Sequence, residues 1–297
     1  MLHAQMTSLG IDVGGSSVKL ALIGDAGETL WQTQTQPYTQ PTRQQLAAAI
    51  RDAIAGRFDP KTSAAGICVP GTRDLARRSV IQSVNLPALN GLVLDDLVEE
   101  AVGGKPAHVE ICSDSTATAF DIYATQKLAG RLCCLALGTG IGAAVLDDGV
   151  PLMVDGESPG HIGQMDVSIE GVPVIGPDNG AGSLEGYLGS PAIVKRYGPD
   201  MAKNLAGFGP DDPPIKALAR TIRICHALYC PHHVALAGGV GIRLKHLLPT
   251  IRQMVEKDLT RIARQGWTLA CGEDEFHAAR GAGKYAVARA TKSRSRA

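Results

Sequence analysis

The sequence predicts an α/β protein built as two related lobes. Strand and helix patterns alternate along the chain, and an apolar strand, glycine turn and strand unit near the start returns near the middle. The 297 residues suffice for one large core or two ordinary ones.

Residues 8–30 read as an apolar-alternating strand, a turn at Gly14-Gly15, a second strand over 18–23 and a turn over 24–27, which is a hairpin and not a strand-to-helix unit. A glycine hairpin of this kind suggests a type I′ or II′ turn with positive φ. Leu46, Ala49, Ile50, Ala53 and Ile54 recur at helical spacing within 43–57. Residues 64–69 read as a buried strand closed by Pro70-Gly71, 92–102 as a helix, 108–112 as a strand and 114–129 as a helix. The segment LCCLALGTGIGAAVL at 132–146, followed by Asp147-Asp148-Gly149, repeats the opening unit. Glycine, proline and aspartate then mark 150–189 as an irregular insertion. Helical patterns resume over 191–197 and 214–228, followed by a strand over 233–236, Gly238-Gly239, a helix to Lys257, a strand over 267–270 and an alanine-rich helix over 276–290. The terminal KSRSRA is expected to be disordered. The expected division is a small lobe over 1–113, with the helix near 276–290 a candidate to pack back on it, and a larger lobe over 114–275.

Composition narrows the function. Twenty-nine Lys and Arg balance 29 Asp and Glu, and the only cationic run is the tail Lys292, Arg294 and Arg296, so nucleic acid and anionic membrane are poor partners. A small-molecule partner fits better. The 35 glycines show no collagen-like period, which points to tight turns and close backbone approach to a ligand. Seven cysteines without a regular framework indicate buried thiols in a reducing compartment. The start lacks a charged segment followed by an apolar one, and no run of about 18 apolar residues occurs, so a cytoplasmic location is expected.

Three glycine loops carry the candidate chemistry. In Asp12-Val-Gly14-Gly15-Ser16-Ser17-Val-Lys19, small residues let backbone amides converge on an anion, and Asp12 can reach a hydrated metal ion that bridges phosphates. Lys19 is a candidate phosphate contact, or a strand lysine facing solvent. Gly138-Thr139-Gly140 stands in the same context in the second half, and Gly238-Gly239 follows a strand, where backbone can approach a base or ribose. Neither the dinucleotide nor the Walker fingerprint is present.

In this order and spacing the loops resemble those of sugar kinases of the actin-like ATPase superfamily, most closely the ROK family of bacterial sugar kinases, sugar-sensing repressors and open reading frames. IDVGGSSVKLALI is similar to its first phosphate motif, LGTGIGAAVLDDG to its second, ALAGGVG to its adenosine motif, and SLEGYLGSPAI to the segment beginning at its cysteine-rich signature. The resemblance spans nearly the whole chain. It implies two ribonuclease-H-like lobes with a central cleft, ATP and Mg²⁺ as cofactors, a sugar hydroxyl as acceptor, and a homodimer. Phosphoryl transfer to an alcohol needs a carboxylate within reach of the hydroxyl. Asp114, in ICSDS, stands where the family has its catalytic aspartate; a helix N-cap is the alternative use of the same residue.

The resemblance also implies substrate contacts from Asn85, Ser113, His161, Gln164 and Glu185, several of them altered. Ser113-Asp114 replaces an Asn-Asp pair. Gly160-His161-Ile162-Gly163-Gln164 replaces G-E-x-G-H, so His161 stands for a sugar-binding glutamate and Gln164 for a zinc- and sugar-binding histidine, unless the alignment slides to put Glu157 in one role. Residues 178–185 lack the family's cysteines, and Cys225, Cys230, His232 and His233 match no ordinary zinc spacing, so no zinc is expected. A sugar kinase is therefore the leading expectation. The family's sensors usually carry an N-terminal DNA-binding segment, and with the hairpin starting within ten residues of the first none is expected here. The acceptor, and the choice between ATP and polyphosphate as donor, stay open.

Overall fold

In the computed structural model of the chain, residues 7–61, 63–83, 86–154, 160–263 and 266–294 are described. The strands are β1 (Ser8–Val13), β2 (Val18–Ile23), β3 (Thr29–Gln34), β4 (Ala64–Cys68), β5 (Thr72–Asp74), β6 (Ser79–Gln82), β7 (His108–Cys112), β8 (Arg131–Leu137), β9 (Ile141–Asp147), β10 (Val150–Pro151), β11 (His233–Ala237) and β12 (Thr268–Cys271). The helices are α1 (Arg43–Ile54), α2 (Leu94–Val102), α3 (Asp114–Thr125), α4 (Leu184–Leu188), α5 (Ser190–Tyr197), α6 (Met201–Gly207), α7 (Pro213–Tyr229), α8 (Gly238–Arg243), α9 (Leu248–Asp258) and α10 (His277–Arg294). The chain forms two compact units, one ending at Asp121 and resuming at Phe276, the other comprising Ile122–Glu275.

The first unit is a sheet in the order β3-β2-β1-β4-β7, antiparallel between β3, β2 and β1 and parallel between β1, β4 and β7. The period of two along β1 decides what covers each face. Leu9, Ile11 and Val13 join Leu46 and Ile50 of α1 and Leu94 and Leu97 of α2 in one core. Each fully buried aliphatic there adds about 1.5–3 kcal/mol. Gly10 and Asp12 point to the other face, where α10 lies across β1 and β4. A Cβ on Gly10 would stand 1.8 Å from the Ala279 carbonyl oxygen and one on Gly66 1.9 Å from that of Ala282, so both glycines exist to let the helix touch the strands. Helix α1 opens with a capping box, Thr42 Oγ1 accepting from Gln45 N at 3.2 Å and Gln45 Oε1 from Thr42 N at 2.8 Å.

This unit ends at Asp121, later than the expected boundary at 113/114. The reason is physical: the fully buried Asp121 carboxylate of α3 is bound by His277 Nδ1 at 2.6 Å, Arg280 Nε at 2.9 Å and Lys284 Nζ at 2.6 Å, all from α10. Strand β3 also escapes the sequence pattern, because at the sheet edge its side chains alternate between exposed and half-buried and no apolar stripe forms.

The second unit repeats the succession, β10-β9-β8-β11-β12, with β10, β9 and β8 antiparallel and β8, β11 and β12 parallel. Its core gathers Leu135, Leu137, Val145, Tyr187, Leu218, Ile222, Ile251 and Trp267. The insertion over 150–189 is held by single bridges such as Asp166 with Ser183 and Ile175 with Ala181, and α4 begins inside it, capped by Ser183, whose Oγ accepts from Gly186 N at 3.2 Å. No helix among the described residues is long and apolar enough to cross a membrane.

Candidate functional site

In the first unit the strand ends put Asp12, Cys68 and Cys112 in one row of register across β1, β4 and β7, and Asp114 follows at the start of α3. Ligands of open α/β sheets bind beyond such carboxyl ends. The Cys68 thiol lies 3.6 Å from Asp12 Oδ1. Burial pushes the Asp12 carboxyl up to about 6; Lys19, its register partner on β2, pulls it down, while Asp114 adds to the rise. Lys19 thus faces a carboxylate and is half-buried. Burial likewise pushes both thiols up, Cys112 to about 12, which leaves them protonated.

Asp114 remains open to solvent along one side, yet the surrounding protein raises its carboxyl above the usual range, against the Ser115 amide at 2.7 Å and the charge of Arg73. Arg73 sits on the β5–β6 hairpin, for which the sequence carries no periodic signal. The helix cap is made by Ser113, whose Oγ accepts from Thr116 N at 3.1 Å. Asp12, at the carboxyl end of β1 and within electrostatic reach of Asp114, offers the kind of oxygen donor that a hydrated Mg²⁺ takes.

The loop between β1 and β2 has four residues. Gly14 N donates to Ser17 O at 3.0 Å, the Tyr38 hydroxyl to Gly14 O at 2.6 Å, Tyr38 N to Ser16 O at 2.8 Å and Gln34 Nε2 to Ser17 Oγ at 2.7 Å. Neither Gly14 nor Gly15 has a positive φ, so the hairpin is not of the expected primed type. A Cβ on Gly15 would meet nothing within 4 Å; glycine there leaves bare backbone. The carbonyls of Gly14, Ser16 and Ser17 are taken up by Tyr38 and by Gly14 N, while among the described residues the amides of Gly15, Ser16 and Ser17 reach no protein acceptor.

The loop between β8 and β9 is built alike. Gly138 N donates to Gly140 O at 3.0 Å, and Gly138 O accepts from Ser190 N at 2.9 Å and Ser190 Oγ at 3.0 Å. The amides of Thr139 and Gly140 likewise reach no acceptor among the described residues. Gly238 has φ +73° and opens α8; a Cβ there would stand 2.4 Å from Leu137 O, so this glycine is required by its contact with the strand leading into the loop. Gly239 lends its carbonyl to Arg243, whose guanidinium also pairs with Glu275 at 3.2 Å.

Glu185, on the first turn of α4, accepts from Gln164 Nε2 at 3.0 Å. Cβ atoms on Gly140 or Gly163 would each come within 3.0 Å of its carboxylate, so those glycines make its space. Glu185 and Thr139 both line a cavity of about 540 Å³ with Val174, Pro191 and Lys195. His161 is exposed and gives its carbonyl to Gln164 N at 2.9 Å. Asn85 and Glu157 lie outside the described residues.

The residues do not fit zinc. The segment 178–185, where the resemblance places the family's cysteines, holds none, and the loop there is closed by Gly176 N to Gly180 O and Gly182 N to Val174 O, each at 2.9 Å. Among the described residues no three His, Cys, Asp or Glu side chains form a metal-binding group. Cys225 is buried in the core, Cys230 is exposed, and His232 and His233 bind Arg131 N and Thr268 Oγ1.

Two sheets with one strand succession, each with a glycine loop after its first strand, define an actin-like ATPase fold of two ribonuclease-H-like halves. The chain belongs to the ROK family, whose model matches residues 8–207. It is 26% identical over 285 residues to an N-acetyl-D-glucosamine kinase of Erwinia tasmaniensis, covering 86% of this chain and 91% of that one. The ROK hexokinase of Thermus thermophilus has the same fold at a TM-score of 0.72 and 21% identity, covering 97% of this chain and 100% of that one. A ROK family transcriptional regulator, homologous to the Escherichia coli MLC protein, matches at a TM-score of 0.71 and 19% identity, covering 95% of this chain and 78% of that one.

Proposed function

We propose that this protein is an ATP- and Mg²⁺-dependent kinase that phosphorylates a hydroxyl of a hexose-like sugar, with Asp114 as general base. The observation that carries the reading is the division of labour at the start of α3: Ser113 makes the cap bond to Thr116, so the Asp114 carboxylate, held at one oxygen by the Ser115 amide, is not needed as the cap and can serve the acceptor. Its raised proton affinity suits a group that takes up the hydroxyl proton. The relative of Erwinia tasmaniensis supports a sugar acceptor and makes an N-acetylated amino sugar the first compound to try.

ATP would supply the phosphoryl group and Mg²⁺ would neutralise its charge. Asp12 would hold the hydrated cation, and in the loops Gly14–Ser17 and Gly138–Gly140 the uncommitted amides of Gly15, Ser16, Ser17, Thr139 and Gly140 would bind phosphate oxygens with support from Lys19. Gly238 and Gly239, at the start of α8, are the candidate backbone contacts to the adenosine. Asn85, Ser113, His161, Gln164 and Glu185 orient the acceptor, Glu185 as a hydrogen-bond acceptor for sugar hydroxyls. A cytoplasmic homodimer goes with this reading, and light scattering after gel filtration measures it.

The test is ADP release from ATP and Mg²⁺ over a panel of hexoses, amino sugars and cyclitols, repeated with Asp114→Asn. The reading requires turnover with at least one acceptor and its loss in the variant with nucleotide affinity kept. Sugar binding with no ADP release by the parent protein would replace it with a non-catalytic sensor, and polyphosphate consumption in place of ATP would correct the donor.

A further inference from the structure

We propose that Tyr38 and Ser190 are matched positioning residues for the nucleotide, each using its hydroxyl to fix the first peptide of a phosphate loop so that its N–H stays aimed at the polyphosphate. This rests on the kinase reading above.

The argument begins with the planarity of the peptide bond. The carbonyl of Gly14 and the N–H of Gly15 belong to one trans unit and point in opposite directions. Whatever holds the oxygen therefore aims the amide. Glycine has no Cβ to choose between the two orientations of the flanking peptide, so an unsupported Gly14–Gly15 unit can flip at little cost and present a carbonyl where an anion must sit. The Tyr38 hydroxyl, donating to Gly14 O at 2.6 Å, selects the orientation that presents the amide. Tyr38 acts twice, because its own N–H donates to Ser16 O at 2.8 Å and in the same way aims the amide of Ser17.

The second unit solves the same problem with a different residue. Ser190 takes Gly138 O with both its N–H, at 2.9 Å, and its hydroxyl, at 3.0 Å, which aims the amide of Thr139. Gly189 permits this approach: a Cβ there would lie 2.7 Å from Glu185 O and 3.2 Å from Thr139 O. Two loops with related contexts thus carry the same hydroxyl-to-glycine-carbonyl clamp, supplied from outside the motif each time.

The experiment measures binding of ATP, ADP and AMP by calorimetry, with steady-state kinetics, for the parent, Tyr38→Phe, Ser190→Ala and Ser190→Thr. One lost neutral hydrogen bond changes affinity by about five- to tenfold. Tyr38→Phe should weaken ATP and ADP by about that factor, raise the KM for ATP to match, and leave kcat, the acceptor KM and AMP affinity within about twofold. Ser190→Ala should show a smaller change of the same pattern, since its N–H still holds Gly138 O, and Ser190→Thr should restore the parent value. A Tyr38→Phe protein with unchanged ATP affinity, or one that loses AMP as strongly as ATP, overturns the assignment while the kinase reading stands. A parent protein that binds no ATP overturns both.

Discussion

Ser113 Oγ accepts the amide of Thr116 at 3.1 Å, and Ala117 N donates to the Ser113 carbonyl at 2.9 Å, so the residue next to the proposed base is the one that starts the helix. Cap and base are then separable by mutation. Ser113→Ala should cost about 1 kcal/mol of stability, the usual value for a lost N-cap, and lower the Tm. Asp114→Asn should leave the Tm close to that of the parent and reduce kcat by about 10²–10⁴, the range for a removed general base. Calorimetry and an ADP-release assay on both variants check this; equal losses of Tm would show that Asp114 shares the cap.

Asp12 carries a cost in the free protein. Its carboxyl is pushed up to about 6, by burial first, so the folded state holds the proton more tightly than the unfolded chain does. Stability tied to this group is present at low pH and is lost as pH rises from about 4 to about 6. Asp12→Asn should therefore stabilise the ligand-free protein near neutral pH, by about 1–2 kcal/mol after allowance for its partial exposure, and flatten that stretch of the stability curve. The same variant should lose Mg²⁺-dependent ATP affinity. A variant less stable than the parent at pH 7.5 would contradict the account.

The cluster on Asp121 works in the opposite sense. Burial alone would raise its carboxyl, but the His277 hydrogen bond and the charges of Arg280 and Lys284 outweigh that and hold it down at about 2. Its contribution is present above about pH 4 and is lost as pH falls toward 2. Asp121→Asn leaves buried cations facing a neutral amide and should cost about 3–5 kcal/mol in urea unfolding. An Asp121→Asn protein within 1 kcal/mol of the parent would mean that α10 is held to α3 by packing alone.

The sheets were legible because large apolar side chains recur at every second residue, even though both faces of the central strands are buried. Leu9, Ile11 and Val13 write a period of two into β1, and the same signal recurs through Leu135 and Leu137 in β8. Gly14 and Gly138 were legible as loop residues, though the reason differs from the expected one: Gly15 is glycine for bare backbone and Gly238 for its contact with Leu137, with positive φ only in the second. Tyr38 and Ser190 left no trace because a hydroxyl bound to a carbonyl 24 or 52 residues away has no periodicity, and Arg73 depends on a two-stranded hairpin too short to pattern. The pairing of Gln164 with Glu185 likewise joins residues 21 apart through an irregular segment, where only the fold brings them together.

His226 of α7 makes the last prediction. Its ring lies edge-on to Trp267, centroids 4.6 Å apart, and among the described residues neither ring nitrogen has a hydrogen-bond partner although the residue is 1% exposed. Arg252 stacks over the same indole at 5.5 Å, so a second positive charge nearby would be unwelcome. Burial lowers the imidazole's proton affinity, and the folded protein keeps it neutral. The unfolded chain takes up the proton below about pH 6.5, so stability falls as the solution is acidified, with a slope of up to about 1.4 kcal/mol per pH unit. His226→Phe keeps the edge-on contact and removes both unsatisfied nitrogens. Urea unfolding of the parent and variant at pH 7.5, 6 and 5 should show the variant more stable throughout and the difference widening toward pH 5. A constant difference across that range would mean that the fold takes up the His226 proton as readily as the unfolded chain does.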